Sequence, residues 1–300
     1  MGVFKSGFIT LVGRTNVGKS TLLNALVKEK IAITANKVQT TRTAIKAILT
    51  SEDYQIIITD TPGIHKPKTK LGETMVDTAF SMFHDVDIIL FLIDATSNEI
   101  GRGDMRILDK IKESQKPCIL IINKMDLVKK EKILKLIDIY KNVYDFSAVI
   151  PVSAYKEQQT QNIIDEILKI LPEGPKYYQD DEYTDQTVRQ ISEEIIREKA
   201  LKFLDDEVPH GIYVEIEDFK FRKNKSGKEL YDINATIYCE KNSHKGIIIG
   251  KNGNLLKKIA TYSRQDIERM LNTQVNLKVW VKVKGDWQNM DNIINKFRLK

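Results

Sequence analysis

Only two cysteines, Cys118 and Cys239, occur in 300 residues, and each lies inside an apolar run that reads as a strand. That scarcity excludes a disulfide-stapled fold and a thiolate metal centre, and predicts two buried free thiols in a reducing compartment. Histidine is nearly as rare, and His65, His84, His210 and His244 have no spacing that would gather them on one metal ion. No window approaches 18 consecutive apolar residues, and the first residues carry no secretory-signal pattern, so nothing reads as exported or membrane-spanning. Internal repeats and low-complexity tracts are absent too. What is present, 42% apolar and 29% charged residues, predicts a globular cytoplasmic chain long enough for two domains.

The net charge of +6 is unevenly distributed. Residues 1 to 172 carry 24 Lys and Arg against 20 Asp and Glu, residues 173 to 218 carry 5 against 14, and residues 219 to 300 carry 18 against 7. The basic surplus therefore sits in the last 82 residues, where it predicts a polyanionic partner.

Along residues 6 to 171, the runs "FITLVG", "AIKAILT", "YQIIITD", "DIILFLID", "CILIIN" and "AVIPVSA" alternate with helical stretches such as "STLLNALVKEK". Near-continuous Val, Ile and Leu runs belong to strands buried on both faces, so this part is α/β with a mostly parallel sheet. Only "SEDYQ" separates the second and third runs, which predicts one antiparallel hairpin. At "LPEGPKYYQDDEYTD" the pattern breaks, and two prolines, a glycine and a cluster of acids predict an exposed linker over residues 173–185. From 186 to 300 the order becomes α-β-β-α-α-β-α, an α+β domain with its helices to one side of a small sheet.

Chemistry concentrates first at "GRTNVGKS", with Gly13, Gly18, Lys19 and Ser20 in G-x-x-x-x-G-K-S register after a strand and before a helix. Glycine lets backbone N–H groups turn inward around a phosphate, and the helix N-terminus adds partial positive charge. Arg14, Thr15, Asn16, Val17 and Thr21 complete this cradle. Lys19 is placed on the β- and γ-phosphates and Ser20 on Mg²⁺. The run "NKMD" (Asn123, Lys124, Met125, Asp126) separates GTP from ATP, because a carboxylate at Asp126 accepts from guanine N1–H and N2–H₂, donors that adenine lacks there. Asn123 is expected to brace the phosphate loop, Lys124 to lie along the base, and "SAY" (Ser153, Ala154, Tyr155) to offer the Ala154 N–H to guanine O6. In "DTPG", Asp60 at a strand end serves Mg²⁺, Thr61 and Pro62 form the turn, and Gly63 gives its N–H to the γ-phosphate. Thr41 of "VQTTR" is the choice for a second hydroxyl on Mg²⁺, with Thr40 as the alternative. Lys19, Thr41, Asp60 and Gly63 are thus the candidate catalytic groups.

These five elements resemble a GTPase domain of the translation-factor class. With "DTPGIHKPKTKLGE", "LPEGP", "EIIREK" and "WVKVKGDW", the resemblance extends along essentially the whole chain to the Era family, bacterial GTPases with a C-terminal KH RNA-binding domain. Thr15 departs from the proline more common in relatives. The resemblance implies a GTPase domain over 1–172 and a type II KH domain over 186–300. It further implies GTP and GDP as substrate and product, Mg²⁺, a monomer, and binding to 16S rRNA near its 3′ end during 30S subunit assembly. It also implies K⁺ at Asn16, beside the β- and γ-phosphates. Ile64 stands where Ras-like enzymes carry a water-orienting glutamine, so intrinsic hydrolysis is expected to be slow. Two alternatives stay open: an RNA-binding assembly factor with negligible turnover, and a cell-cycle switch held peripherally at the inner face of the membrane, where Era relatives are reported.

A second glycine turn occurs in "IIIGKNGNLLKK". It lacks the spacer and the G-K-S ending of a phosphate loop, but it lies between two helices in the α-β-β-α-α-β order. In a KH module such a G-x-x-G turn clamps the backbone of about four single-stranded nucleotides. Gly250 and Gly253 let phosphates approach the main chain, Lys251 and Asn252 supply charge and a donor, and Lys245, Lys257 and Lys258 add charge nearby. Ile248, with Ile247 and Ile249, is expected to form the apolar wall of the groove.

Overall fold

Alternate residues of the central strands fill two separate cores, one on each side of a six-stranded sheet. Ile9, Leu11, Leu90 and Ile121 face one side, and Val12, Phe91, Ile93 and Ile122 the other. In this computed structural model, which describes residues 3–28, 31–32, 41–205, 208–223 and 227–297, the first domain runs β1 (Lys5–Gly13), α1 (Lys19–Val27), β2 (Ile45–Thr50), β3 (Tyr54–Asp60), α2 (Lys70–Ser81), β4 (Ile88–Asp94), α3 (Arg102–Ser114), β5 (Cys118–Asn123), α4 (Lys130–Lys141), β6 (Ala148–Pro151) and α5 (Thr160–Ile170). The sheet order is β2-β3-β1-β4-β5-β6, and only β2 is antiparallel to its neighbour. The α/β fold and its single hairpin are therefore as expected.

Strand order reverses at β1, which has β3 on one side and β4 on the other. The crevice beyond the C-terminal ends of parallel strands at such a point is where α/β sheets bind ligands. Gly13, Asp60, Asp94 and Asn123 are the last residues of β1, β3, β4 and β5, so all four stand on that rim.

The chain after α5, expected to be an exposed linker, is mostly exposed but is also fastened to the first domain. The described residues fall into two compact units, and the segment up to Asp185 belongs with the first. The fully buried Gln55 of β3 explains this: its Oε1 accepts from Tyr177 N (2.7 Å) and Tyr178 N (3.0 Å), and its Nε2 donates to Tyr178 O (2.9 Å). Further along, Ile48 N donates to Tyr183 O (2.9 Å), so residues 183 and 184 cover part of the outer edge of β2. A buried side-chain amide requires its full set of partners, and here the backbone of residues 177 and 178 supplies three of them and Thr50 Oγ1 the fourth (3.0 Å).

The second unit contains α6 (Val188–Phe203), β7 (Ile212–Lys223), β8 (Glu229–Cys239), α7 (Asn242–Ile249), α8 (Asn254–Leu271), β9 (Gln274–Val283) and all but the last residue of the short α9 (Asp291–Ile294). Thr187 caps α6 by accepting from Gln190 N, while the Gln190 side chain accepts from Thr187 N. In the three-stranded sheet, β8 pairs antiparallel with β7 and parallel with β9. Ile196, Ile233, Ile237, Ile248, Ile259 and Ile267 are among its fully buried core residues. Trp287 is fully buried as well, its indole N–H donating to Gly211 O (3.0 Å). Cys118 and Cys239 are buried free thiols, and burial raises both thiol pKa values. Among the described residues no helix is long and apolar enough to cross a membrane.

Candidate functional site

The turn from β1 into α1 has Asn16 at φ 64° and Gly18 at φ 100°, both in the left-handed region. A side chain at Gly18 would also strike the Asn123 amide, so glycine is required there on two counts. Several groups fix the turn from inside. Lys19 Nζ donates to Gly13 O (3.2 Å) and Arg14 O (3.1 Å), and Asn123 Nδ2 donates to Val17 O (2.8 Å). Lys124 Nζ reaches Asn16 O (2.8 Å), and Ile64 N donates to Gly13 O (3.1 Å). Arg14 extends over the start of α3 and pairs with the buried Asp104 (3.3 Å).

Lys19 is 6% exposed. Burial lowers its pKa from 10.5 to about 8, against the opposing pull of Asp60. A desolvated ammonium waiting at the mouth of a loop of inward N–H groups is a site that gains by receiving an anion. Beside it, Ser20 Oγ donates to Asp60 Oδ2 (2.7 Å), Thr41 Oγ1 donates to the same oxygen (3.2 Å), and the two hydroxyls lie 2.8 Å apart. Asp60 is completely buried, which raises its pKa against the opposing effects of Lys19 and the two hydroxyls. Its Oδ1 has no hydrogen-bond partner among the described residues. Two hydroxyls and a carboxylate with an orphaned oxygen form the hard-oxygen donor set that suits Mg²⁺. Thr40 lies outside the described residues.

Gly63 presses on the loop: a Cβ there would lie 2.7 Å from Thr15 Cγ2 and 2.9 Å from its Cα. Thr61 spends its hydroxyl on Leu11 O (2.8 Å), and Pro62 is buried. Ile64 is 2% exposed and belongs to a core cluster, so its side chain points away from the crevice.

Asn123 ties two loops together, because its Oδ1 accepts from Ala154 N (3.0 Å) while its Nδ2 holds the phosphate loop. The Ala154 N–H, expected at guanine O6, donates here to Asn123 Oδ1 and so braces that side chain. Asp126 has a side chain only 9% exposed, with the Lys156 ammonium 3.9 Å away. Met125 N donates to Val152 O (3.0 Å), Ser153 Oγ accepts from Lys156 N (3.2 Å), and the Tyr155 side chain is 85% exposed. Thr21 is half-buried in the first turn of α1.

Sequence reasoning missed Asp94. Its Oδ2 receives Lys124 Nζ at 2.6 Å, and its Oδ1 accepts from Thr96 N and Thr96 Oγ1. A signal was available: "FLID" ends a parallel-sheet strand on a carboxylate just as "IIITD" does.

At the second glycine turn, Gly250 (φ 73°), Asn252 (φ 54°) and Gly253 (φ 74°) all have left-handed backbones. A Cβ at Gly250 would lie 2.7 Å from Leu255 Cβ, whereas one at Gly253 meets nothing within 4 Å. Lys251, Asn252 and Lys257 are exposed, and Lys245 is half-buried. Lys258 places its ammonium 4.3 Å from the centroid of the Phe203 ring. Ile248 requires a correction. It is fully buried, while Ile247 is 49% exposed, because the phase of α7 turns Ile248 onto the core. The exposed apolar residue beside the turn is therefore Ile247.

Residues 8–124 match the family model described as 50S ribosome-binding GTPase, and residues 207–288 match that of the KH domain. GTPase Era of Caldanaerobacter subterraneus subsp. tengcongensis is 52% identical over 293 residues, covering 98% of this chain and 97% of that protein. The crystal structure of Era in complex with MgGDPNP and nucleotides 1506–1542 of 16S ribosomal RNA is similar with a TM-score of 0.94 and 38% identity, covering 99% of this chain and 100% of that one. An Era variant from Aquifex aeolicus bound to GDP and AlF4⁻ gives 0.93 and 37%, with the same coverage.

Proposed function

Because the chain belongs to the GTPase Era family, we propose that it is a GTP-hydrolysing switch that binds 16S rRNA near its 3′ end through its KH domain and assists or checks assembly of the 30S subunit. The observation that carries the switch is the convergence of Ser20, Thr41 and Asp60 beside the buried Lys19. Thr41 and Asp60 come from the segments on either side of the β2–β3 hairpin, so an ion held by this group would tie both segments to the phosphate loop. Ser20 and Thr41 would hold Mg²⁺ through their hydroxyls, with Asp60 as their common acceptor. Mg²⁺ bound with the nucleotide neutralises charge on the β- and γ-phosphate oxygens. Lys19 adds an ammonium to the same oxygens, and Gly63 offers its N–H to the γ-phosphate. Losing that phosphate removes what holds Gly63 and Thr41 in place, which is the switching event.

Base selection falls to Asp126, whose carboxylate suits the paired donors of guanine. With Ile64 packed in the core, no side chain follows Gly63 to orient water, and turnover by the free protein is slow. Asn16 is assigned to K⁺: its backbone carbonyl is taken by Lys124, while the residue itself remains exposed at the mouth of the loop. In the KH domain, Gly250, Lys251, Asn252 and Gly253 grip the RNA backbone, with Lys245, Lys257, Lys258 and the exposed Ile247 beside them.

Phosphate release by the full chain tests this reading, with GTP or ATP, in KCl or NaCl at matched ionic strength, and with or without the 16S rRNA 3′ segment. GTP is expected to exceed ATP by at least about 10³-fold, since adenine leaves the Asp126 carboxylate unpaired. KCl is expected to exceed NaCl, and RNA to alter the GTP rate. Equal rates with ATP and GTP would overturn the guanine assignment, and equal rates in the two salts would remove K⁺.

A further inference from the structure

We infer that Asp94 aims Lys124, making it a positioning residue for nucleotide binding; this deepens the GTP-switch reading and rests on it. A lysine at the base must hold a long, rotatable stem in one direction, and left alone it loses considerable side-chain entropy in doing so. Lys124 is constrained at both ends. Its backbone sits at φ 65°, and its ammonium is shared between Asp94 Oδ2 (2.6 Å) and Asn16 O of the phosphate loop (2.8 Å).

Asp94 is itself fixed. It ends β4 directly opposite Asn123, the residue before Lys124, and Ala95 N donates to Asn123 O (2.8 Å). Its second carboxylate oxygen is closed by Thr96 N (2.8 Å) and Thr96 Oγ1 (2.7 Å), a local turn that holds the carboxylate in one rotamer. Burial works to raise its pKa, but the hydrogen bonds from Lys124 and Thr96 outweigh it and keep the carboxyl below its usual range. Lys132 then donates to Thr96 O on the outer side.

An ordinary surface ion pair contributes little, because both side chains are solvated and free. This one differs in two respects. The Asp94 and Lys124 side chains are only 19% and 31% exposed. The remaining acceptor of the ammonium is also part of the nucleotide cradle. Thr96, Asp94, Lys124 and Asn16 therefore form one hydrogen-bonded chain from the strand end to the phosphate loop, and Asp94 acts on the nucleotide only through Lys124.

Release of a fluorescent GDP from the full chain tests this, using wild type, Asp94→Asn, Lys124→Ala and the double variant. Asp94→Asn keeps the shape and the Thr96 contacts but removes the charge, and is expected to speed release about tenfold, in line with a lost hydrogen bond to a charged group. The double variant is expected to release GDP no faster than Lys124→Ala alone. Wild-type release from Asp94→Asn would overturn the inference. So would a double variant whose acceleration is the product of the two singles, since damage to the fold would add independently of Lys124. Failure of the wild type to retain GDP would instead overturn the nucleotide-switch reading itself.

Discussion

The chain contains two glycine turns that each lead into a helix, and they are held in opposite ways. Side chains lock the turn at 13–20: from the end of β5 Asn123 takes Val17 O and Lys124 takes Asn16 O, and from within the turn Lys19 folds back onto Gly13 O and Arg14 O. The turn at 250–253 closes through its own backbone, with Gly250 N on Gly246 O and Gly253 N on Gly250 O, while Lys251 and Asn252 face solvent. A locked turn offers one preformed cradle and suits one small ligand of fixed shape. An open turn has nothing in front of it, so a chain can pass across. The same residue type thus serves a nucleotide in one domain and a polymer in the other, and the difference lies in what surrounds each turn.

Gly250→Asp should break the comparison most strongly. Gly250 combines a left-handed backbone with Leu255 at contact distance, so any side chain strains the turn, and a carboxylate also repels phosphate. Affinity for a single-stranded RNA oligonucleotide is expected to fall about a hundredfold, while GDP affinity stays within about twofold. RNA binding at the wild-type level, measured by fluorescence anisotropy, would show that the open turn is not the clamp.

A smaller effect comes from Lys19. Its pKa of about 8 in the free protein means that, as pH rises through that value, the ammonium loses its proton and the anion its partner. Below about pH 7 GDP affinity should be flat, at about pH 8 roughly twofold weaker, and by about pH 8.5 roughly fourfold weaker, the fraction of the ammonium then remaining being about a quarter. Binding calorimetry should also register proton uptake there. Affinity unchanged across this range would mean that the locked turn does not depend on the buried charge.

How much of this was legible in the sequence depends on how far apart the cooperating residues lie. Gly13, Gly18, Lys19 and Ser20 share one turn, and local spacing was enough to place them together. The pairing of Asp94 with Lys124 requires the register of β4 against β5, and three hydrogen bonds of the Gln55 amide come from backbone more than 120 residues away, so the local sequence of "LPEGPKYYQDDEYTD" shows its exposure but not its attachment. Ile248 was misplaced for a different reason. Three consecutive isoleucines carry no helical phase of their own, and only the packing of α7 decides which one is buried. The hydrogen bond from Ala154 N to Asn123 Oδ1 was not legible either, because it joins two loops 31 residues apart.

Lys251→Ala should give the smallest effect and sharpen the comparison most. The residue is exposed at the tip of the open turn, where an ammonium supplies charge without fixed geometry. Removing it should cost about two- to threefold in RNA affinity at moderate salt. The plot of log affinity against log salt should become shallower by about 0.7, the contribution of one neutralised phosphate on a single strand. Because the loss is purely electrostatic, mutant and wild-type curves should converge as salt rises. A loss that persisted at high salt would mean that Lys251 makes a directed contact like those of Lys19 and Lys124, and that the second turn is more enclosed with RNA bound than its own residues make it alone.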